Sequence, residues 1–254
     1  MTVQQSDITP PNIERVRHEL KRRTLTVTRC EPLTPVMRRI HLTSDDLGDF
    51  ISAAPDDHIK LFFDTGGEKQ EMRDYTPRHF DIEQKTLVID FALHDAGPAT
   101  AWAIAAQPGD TLDIGGPRGS AVIREPVNHW VLIGDETALP AIGRRIEEAP
   151  AAKKITAIIA VPGPQDHQTF DTKANVTLCW IDRPAEQATD AAPFLSILKD
   201  ISFEPETLVW AGAEANVVRA LRAYLLEERD FPKSWMKLSG YWVKNKPGES
   251  EKNL

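Results

Sequence analysis

Cysteine is scarce in this sequence, which contains only Cys30 and Cys179 among 254 residues. Two distant cysteines cannot supply the thiolates of an iron–sulfur cluster, and they do not indicate a disulfide framework. Ordered metal-ligand spacing is missing as well, because none of the seven histidines stands in a pattern that dictates a metal site. The sequence therefore predicts no protein-bound metal.

Long apolar runs are also absent. No run approaches the roughly 20 residues that a membrane-spanning helix needs, and the first residues do not show a basic segment followed by an apolar stretch. Neither G-x-S-x-G nor H-E-x-x-H occurs, so hydrolase chemistry has no support. We expect a cytoplasmic protein that does not insert into a membrane.

Positive charge is in deficit overall, and a formal net charge of −8 disfavours general nucleic-acid binding. Basic residues are nevertheless concentrated in residues 14–39 and in 231–248, where the second stretch contains no acid at all. Such local excess can attract an anionic ligand, although a solvated face is the ordinary alternative. Residues 13–23 are interpreted as a basic helix. A nucleic-acid role for it is disfavoured, because aromatic residues are not interleaved with the basic ones.

The first half of the chain reads as short β-branched and aromatic runs separated by turns, and it predicts an antiparallel β-barrel over residues 13–125. One helix is predicted from near Pro98 to Ala106, with proline at its start and Pro-Gly beyond its end. The predicted strands are Thr24–Cys30, Met37–Leu42, His58–Phe63, Arg73–Arg78, Thr86–Phe91 and Thr111–Ile114.

The second half has a different pattern of apolar residues, and residues 126–244 predict an α/β domain with a parallel sheet. Buried strands alternate with amphipathic helices, the last of them a long helix from about Glu214 to Glu228. Residues 245–254 are predicted to form a flexible tail. The predicted strands are Trp130–Gly134, Ile155–Val161, Val176–Ile181 and Thr207–Trp210, with a further helix near Ala191–Lys199.

The pattern R-x-Y-T in residues 73–76 is suited to holding a flavin. Residues two apart in a strand share a face, so Arg73 and Tyr75 project together. A guanidinium can pair with a pyrophosphate through two parallel hydrogen bonds, and a phenol can lie against a flat ring system. Thr76 adds a hydroxyl and a backbone N–H. The alternative is a polar hairpin arm that ends in a Thr-Pro turn.

Three further segments stand where a cofactor would be expected. His94–Ala103 joins a strand to a helix start, where free N–H groups favour a phosphate, or it is an ordinary turn. Gly115–Ser120 is a glycine-rich turn that either lets backbone approach a cofactor or merely turns a corner. Gly134–Ile142 follows a buried strand but is not G-x-G-x-x-G. Asp135 or Thr137 can cap the following helix, and a cofactor site at the end of the strand stays open.

Taken together, these segments resemble the siderophore-interacting protein family of flavin-dependent ferric-siderophore reductases, within the ferredoxin–NADP reductase-like superfamily. The segments that carry the resemblance are D-D-H-I-K-L-F-F (Asp56–Phe63), R-D-Y-T-P (Arg73–Pro77), D-F-A-L-H-D-A-G-P-A-T-A-W-A (Asp90–Ala103), G-P-R-G-S (Gly116–Ser120), G-D-E-T-A-L-P-A-I (Gly134–Ile142) and S-G-Y-W (Ser239–Trp242).

The resemblance implies a bound FAD, with Arg73 on its phosphates, Tyr75 against the ring and Thr76 near N5, the last two serving as catalytic residues. It also implies that His94 and the Gly97–Thr100 turn hold the pyrophosphate. Further cofactor contacts are expected at Asp90, Ala99, Arg118, Gly119, Ser120, Asp135 and Thr137.

The resemblance further implies reduction of a ferric siderophore, with a trianionic catecholate complex as the expected substrate and NADPH as the expected donor. NADH or ferredoxin stays open as the donor, because the tail reads G-Y-W-V-K-N and the strand end reads A-G-A-E, both departures from the family pattern. A basic rim would help an anionic chelate, and Lys60, Arg78, Lys237 and Lys244 are the candidates.

Two other functions stay open on this sequence. A general flavin reductase would reduce free flavin or ferric citrate as fast as a catecholate complex. A siderophore carrier would bind the chelate without flavin, which the R-x-Y-T strand disfavours. We expect a monomer.

Overall fold

A computed structural model describes residues 8–67, 69–94, 97–252 and 254 of the chain. These residues form two compact units. The barrel unit consists of Glu14–Val122 together with Gly143–Arg145. The α/β unit consists of residues 8–13, Ile123–Ile142 and Ile146–Leu254. Each unit has an apolar core of its own.

Antiparallel pairing dominates the first part of the chain. A seven-stranded sheet has the order β5-β4-β8-β2-β3-β7-β6, and β1 pairs separately with β9. Along β2, buried Leu25 and Val27 alternate with exposed residues, so one face of the sheet packs on the core. The elements are β1 Ile13–Arg17, β2 Arg22–Thr34, β3 Met37–Thr43, β4 Ile59–Phe63, β5 Glu71–Tyr75, β6 His79–Asp81, β7 Thr86–Ala92, α1 Pro98–Ala105, β8 Thr111–Gly115 and β9 Gly119–Ile123.

The seven-stranded sheet is strongly curved. Strands β5 and β7 have four strands between them in the sheet order, yet the rings of Tyr75 and Phe91 on these strands have centroids 4.5 Å apart. A flat sheet would separate them by several strand spacings of about 4.8 Å each. The sheet therefore curls into a half-barrel whose concave side is filled by side chains.

The second part of the chain forms a five-stranded parallel sheet with the order β12-β11-β10-β13-β14. Its central strand β10 is buried along its whole length, as expected for a strand covered on both faces. An antiparallel half-barrel followed by a parallel α/β sheet confirms the predicted fold class. The elements are β10 His129–Gly134, α2 Leu139–Glu147, β11 Lys154–Val161, β12 Asn175–Asp182, α3 Ala192–Lys199, β13 Thr207–Glu214, α4 Ala215–Ala223 and β14 Met236–Trp242.

The predicted helix over residues 13–23 is wrong. Ile13–Arg17 is strand β1, and Arg22 begins strand β2. The segment I-E-R-V-R has its two apolar residues three positions apart, a spacing that also suits a helix, so its pairing with β9 and not its pattern accounts for the strand.

The predicted long helix near the C-terminus is divided. Helix α4 ends at Ala223, and Tyr224–Glu228 form a wider π-helical turn. The N–H of Arg229 accordingly bonds the carbonyl of Tyr224, five residues back, at 3.2 Å.

The last residues of the chain differ from the flexible tail that the sequence predicts. Gly240 and Glu251 exchange two backbone hydrogen bonds of 2.8 Å, and the N–H of Leu254 bonds the carbonyl of Leu238 at 3.2 Å. Strand β14 lies at the edge of its sheet, so its outer backbone groups need partners. The last residues provide some of them. No helix in the described part of the chain is both long and apolar enough to cross a membrane.

Candidate flavin site

The R-x-Y-T residues lie at the end of β5, which pairs with β4. Tyr75 stands opposite Ile59 and Arg73 opposite Leu61, so Arg73 and Tyr75 share one face of the sheet. Both are half-buried, whereas Met72 and Asp74 on the other face are exposed. The shared face predicted from the spacing is therefore present in the fold.

Arg73 makes only local contacts in the described structure. Its Nη2 lies 2.7 Å from Glu71 Oε2, and its Nη1 donates to the carbonyl of Met72 at 2.9 Å. The guanidinium is about one-fifth exposed. Contacts with an exposed neighbour on the same strand are easily exchanged, so this fork can turn to an incoming phosphate group.

Tyr75 heads a chain of aromatic rings. Its ring lies against Phe91 at 4.5 Å, and Phe91 lies 5.6 Å from Trp102 on α1. Burial raises the pKa of Tyr75 above its usual value, so the phenol keeps its proton at any physiological pH. Thr76, the next residue, is buried. Tyr75 therefore offers a neutral ring edge and face beside a fixed threonine.

Thr100, in the first turn of α1, has an unmet hydrogen-bonding group. Its Oγ1 is buried and has no partner among the residues that the structure describes. Such an orphan costs roughly 1–3 kcal/mol. The helix begins at Pro98 after Gly97, and its first turn carries no acidic side chain. The first N–H groups of a helix have no partner within the helix itself. An anionic oxygen placed here would satisfy both kinds of donor, so these residues fit the pyrophosphate of FAD.

Two other predicted residues of this segment, His94 and Ala99, are described by the structure. His94 is exposed two residues after the end of β7, and Ala99 is buried in the first turn of α1. Asp95 and Ala96 lie outside the described residues.

Two of the predicted site residues, Asp90 and Arg78, lie in one buried charge cluster. The Asp90 carboxylate is buried, and Arg39 binds it through both oxygens at 2.7 and 2.8 Å. Arg78 Nε approaches from the other side at 3.5 Å, and Arg78 is itself only 7% exposed. The carboxylate of Asp90 therefore holds two arginines, and a cofactor contact through this residue stays a prediction. Arg78 is buried and does not belong to an exposed basic rim.

Two more of the predicted site residues lie in the glycine-rich turn. A Cβ on Gly119 would lie 2.5 Å from the carbonyl oxygen of Val16, so this glycine allows β1 to pair with β9. Ser120 is buried, and its hydroxyl donates to Asp57 at 2.6 Å and lies 2.8 Å from His18 Nε2. Gly119 and Ser120 thus have structural contacts within the barrel unit, and their cofactor contacts stay predictions. Arg118 is exposed, so its side chain remains accessible for the predicted cofactor contact.

Asp135 is the hub of the first βα connection. One carboxylate oxygen accepts the N–H and the hydroxyl of Thr137 at 3.0 and 2.5 Å. The other accepts the N–H of Glu214 at 3.0 Å and the indole N–H of Trp242 at 2.9 Å. Four donors use its acceptor sites. The cap is therefore the structural role of this motif, and Asp135 has no acceptor left for a cofactor.

A buried charge cluster, which no sequence pattern predicted, lies at the carboxyl ends of β10 and β12. Arg183 is 2% exposed, and its Nη2 lies 3.2 Å from Glu136 Oε2. Burial and the neighbouring Asp135 raise the pKa of Glu136 to about 7, although Arg183 acts in the opposite direction. A single arginine after a strand gives no sequence signal of its own. Its burial appears only when the strands are assembled.

The four basic residues proposed for the chelate are distributed over both units. Lys60 pairs with Asp74 at 2.5 Å, and its position in β4 puts it on the face opposite Arg73 and Tyr75. Lys237 lies half-buried on β14. Lys244 is exposed and donates to the carbonyl of Glu186 at 3.0 Å.

Comparison with known proteins connects both units to one family. The model for the siderophore-interacting FAD-binding domain matches residues 26–71 and 64–121, and the model for siderophore-interacting protein matches residues 127–245. The chain belongs to the siderophore-interacting protein family. This confirms the predicted family and the FAD-binding character of the barrel unit.

Curated relatives extend over nearly the whole chain. The NADPH-dependent ferric-chelate reductase of Escherichia coli is 33% identical, covering 92% of this chain and 98% of its own. The ferric vibriobactin reductase of Vibrio cholerae is 26% identical, with 90% and 92% covered.

Solved structures of the family share the fold. A siderophore utilization protein from T. fusca matches with a TM-score of 0.85 at 34% identity, covering 93% of this chain and 98% of that one. The siderophore-interacting protein of Aeromonas hydrophila matches with a TM-score of 0.77 at 31% identity, covering 91% and 93%. The cytochrome b5 reductase domain of Ulva prolifera nitrate reductase, at 14% identity and a TM-score of 0.64, shares the fold alone, with 85% and 96% covered.

Proposed function

We propose that the protein is a ferric-siderophore reductase that binds FAD in its barrel unit and takes electrons from NADPH. The observation that carries this proposal is the buried, unpartnered hydroxyl of Thr100 at the start of α1, in the same curved sheet unit as the R-x-Y-T face. The names of the relatives from Escherichia coli and Vibrio cholerae support the reaction and, for the first, the donor.

In this proposal, the residues of the barrel unit have distinct roles. Arg73 pairs with the phosphates, and Thr100 with the N–H groups of the α1 turn holds the pyrophosphate. Tyr75 lies against the flavin ring, and its protonated phenol adds no charge beside it. Thr76 supplies a fixed polar group near the ring edge. Exposed His94 and Arg118 are further phosphate partners.

Bound FAD would supply the coupling between a two-electron donor and one-electron acceptors. The iron arrives as cargo inside its chelate, so the protein has no need of iron ligands of its own. Reduction weakens the complex because hard catecholate oxygens hold Fe(III) more firmly than Fe(II). A catecholate siderophore is the proposed substrate class.

An anaerobic absorbance titration tests the proposal. FAD-reconstituted protein receives NADPH and then a ferric tris-catecholate in the presence of a ferrous trap. We expect the oxidised-flavin band to bleach with NADPH and to return as trapped Fe(II) appears. Bleaching with NADH but not with NADPH overturns the proposed donor. Failure to bind flavin overturns the reductase proposal and favours a siderophore carrier.

A matched comparison tests substrate preference. We expect the catecholate complex to be reduced with a higher kcat/KM than ferric citrate or free flavin. Equal values would instead indicate a general flavin reductase.

The lysines of the α/β unit have their own test. Replacing Lys237 and Lys244 with glutamate should raise KM for the trianionic chelate and leave KM for NADPH less affected, because like charge disfavours the anion. Unchanged steady-state kinetics for the chelate would refute this assignment. Lys199→Glu, an exposed change at the end of α3, serves as the control.

A further inference from the structure

Arg144 is a buried arginine that no sequence motif singled out. It lies in α2, within the Gly143–Arg145 segment that belongs to the barrel unit, and it is 4% exposed. Its Nη1 donates to Ser52 Oγ at 2.7 Å and to the carbonyl of Pro77 at 3.2 Å. Its Nη2 donates to the carbonyl of Ser52 at 2.8 Å. A buried guanidinium with several well-placed acceptors is a rigid support.

One of these acceptors directly follows the R-x-Y-T residues. The Pro77 carbonyl and the Arg78 N–H belong to the same peptide group. Arg144 holds the carbonyl, and the N–H bonds the carbonyl of Val88 at 2.9 Å. Proline also fixes the backbone φ angle of this position. The Pro77–Arg78 peptide, one residue beyond Thr76, is therefore held through both its carbonyl and its N–H.

Ser52, the other residue that Arg144 contacts, is itself held in place by hydrogen bonds. Ser52 Oγ donates to Asp57 Oδ2 at 3.1 Å, and the same oxygen accepts the N–H of Ala54 at 3.0 Å. Asp57 also accepts the Ser120 hydroxyl. A buried carboxylate thus lies one serine away from the buried guanidinium, which offsets its charge. Ser52 therefore fixes the guanidinium of Arg144, and the fixed guanidinium holds the Pro77 carbonyl.

We propose that Arg144 is a positioning residue for the flavin, because by fixing the Pro77 carbonyl it orients Tyr75 and Thr76 against the ring. This inference rests on the proposed function, since it presupposes FAD beside these two residues. Arg144 touches neither the flavin nor the chelate in this account and acts through the backbone.

The test compares Arg144→Gln with Arg145→Gln, measuring the Kd for FAD, the midpoint potential of the bound flavin and the Tm. Arg145 is the matched control, since it is adjacent on α2 and lies 3.8 Å from Asp56. For Arg144→Gln we expect the Kd to rise about tenfold or more, because the Pro77 carbonyl loses the donor that holds it and Tyr75 and Thr76 are no longer oriented against the ring. A tenfold difference between the oxidised and reduced flavin would move the two-electron potential by about 30 mV. Arg145→Gln should leave both flavin values at wild type.

Arg144→Lys keeps the charge and the stem, so it provides a folded variant if the glutamine protein does not fold. Its ammonium cannot reproduce the fork to Ser52 and Pro77, so we expect a weaker Kd and a shifted potential with a smaller loss of Tm. A variant with a lowered Tm but wild-type Kd and potential would show a purely structural role and overturn the inference. If wild-type protein binds no FAD, the proposed function falls together with the inference. Normal wild-type reduction with unaffected Arg144 variants overturns the inference alone.

Discussion

Thr100 shows how a single atom can carry information about a missing partner. Its hydroxyl is buried without a partner among the described residues, and Thr34 Oγ1 on β2 is in the same condition. The two differ in place, since Thr100 lies in the first turn of α1 and Thr34 at the end of β2. A pair of similar defects, one inside the proposed site and one outside it, allows a controlled test.

Thr100→Val should leave the stability of the flavin-free protein unchanged or higher, because it removes a hydroxyl that has no partner. The same change should raise the Kd for FAD by about fivefold or more, since the pyrophosphate loses a donor. Thermal unfolding without flavin and fluorescence titration with FAD measure the two effects. Thr34→Val is the control, with the same effect on stability and a wild-type Kd. Equal Kd values for both variants would contradict the pyrophosphate assignment.

His129 gives a pH prediction that does not depend on the flavin. It is 2% exposed and lies between Thr156 Oγ1 at 2.9 Å and Thr207 Oγ1 at 3.5 Å. Burial, with a smaller effect of Lys154, lowers its pKa from 6.5 to about 4, although Glu204 opposes the shift. Between pH 6.5 and pH 4, the unfolded chain therefore binds a proton at His129 that the folded protein does not bind. Stability should fall as the pH is lowered from 6.5 toward 4.

His129→Gln should remove this part of the pH dependence, which amounts to at most about 3 kcal/mol. Urea unfolding at several pH values between 7 and 4 measures it. His79→Gln, on an exposed histidine, should keep the wild-type slope. A His129→Gln protein whose slope matches wild type would show that this residue is not the source.

The polar residues of the candidate site were easier to predict from the sequence than the residues that form hydrogen bonds with them. The R-x-Y-T spacing sufficed to predict that Arg73 and Tyr75 share a face, because strand geometry fixes the alternation. Asp90, Ser120 and Asp135 also carry polar groups in the expected segments. Which donors would occupy those groups depends on residues far away in the chain, such as Arg39 and Trp242. That information is not contained in a local pattern.

Elements with a strong period were predicted well, and weakly patterned strands at edges were missed. Buried β10 and β11 are continuous apolar runs, and the resulting sheet has the expected parallel pairing. Strands β1 and β9 are short and partly polar, and they are stable only through each other. Strand β14 becomes evident only when β13 is present beside it.

The pairing of β1 with β9 gives a test at this scale. Gly119→Ala would put a Cβ 2.5 Å from the Val16 carbonyl, so the two strands must move apart. We expect a loss of roughly 1–3 kcal/mol of stability and faster amide exchange in β1. Denaturant unfolding and hydrogen exchange measure both. Gly48→Ala, where no atom lies within 4 Å of the added carbon, should change neither. Unchanged exchange in β1 would contradict the role given to Gly119.

At the scale of the whole molecule, the charge of the protein and the charge of its proposed substrate have the same sign. A net charge of −8 repels a trianionic chelate, whereas exposed Lys244 and half-buried Lys237 attract it locally. Salt screens interactions beyond a distance of about 10 Å at 0.1 M ionic strength. Whether added salt raises or lowers KM for the chelate therefore shows whether the local lysines or the overall negative charge dominates.

We expect KM for the trianionic chelate to rise with added salt, because the proposal places local lysines at the point of contact. Steady-state reduction at low and high ionic strength measures this, with an uncharged ferric chelate as the control. A KM that falls with salt would show that the overall negative charge dominates. The lysine assignment would then be wrong.

The composition of the barrel unit has a consequence for the order in which the protein is made. This unit includes Gly143–Arg145, although its strands end by Ile123. A nascent chain leaving the ribosome therefore cannot complete its flavin-binding half when residue 125 emerges. It must wait until the first helix of the following half is outside the exit tunnel. A gene fragment that ends near residue 125, where the sequence pattern changes, would encode all the strands of the barrel unit but would omit its Gly143–Arg145 segment.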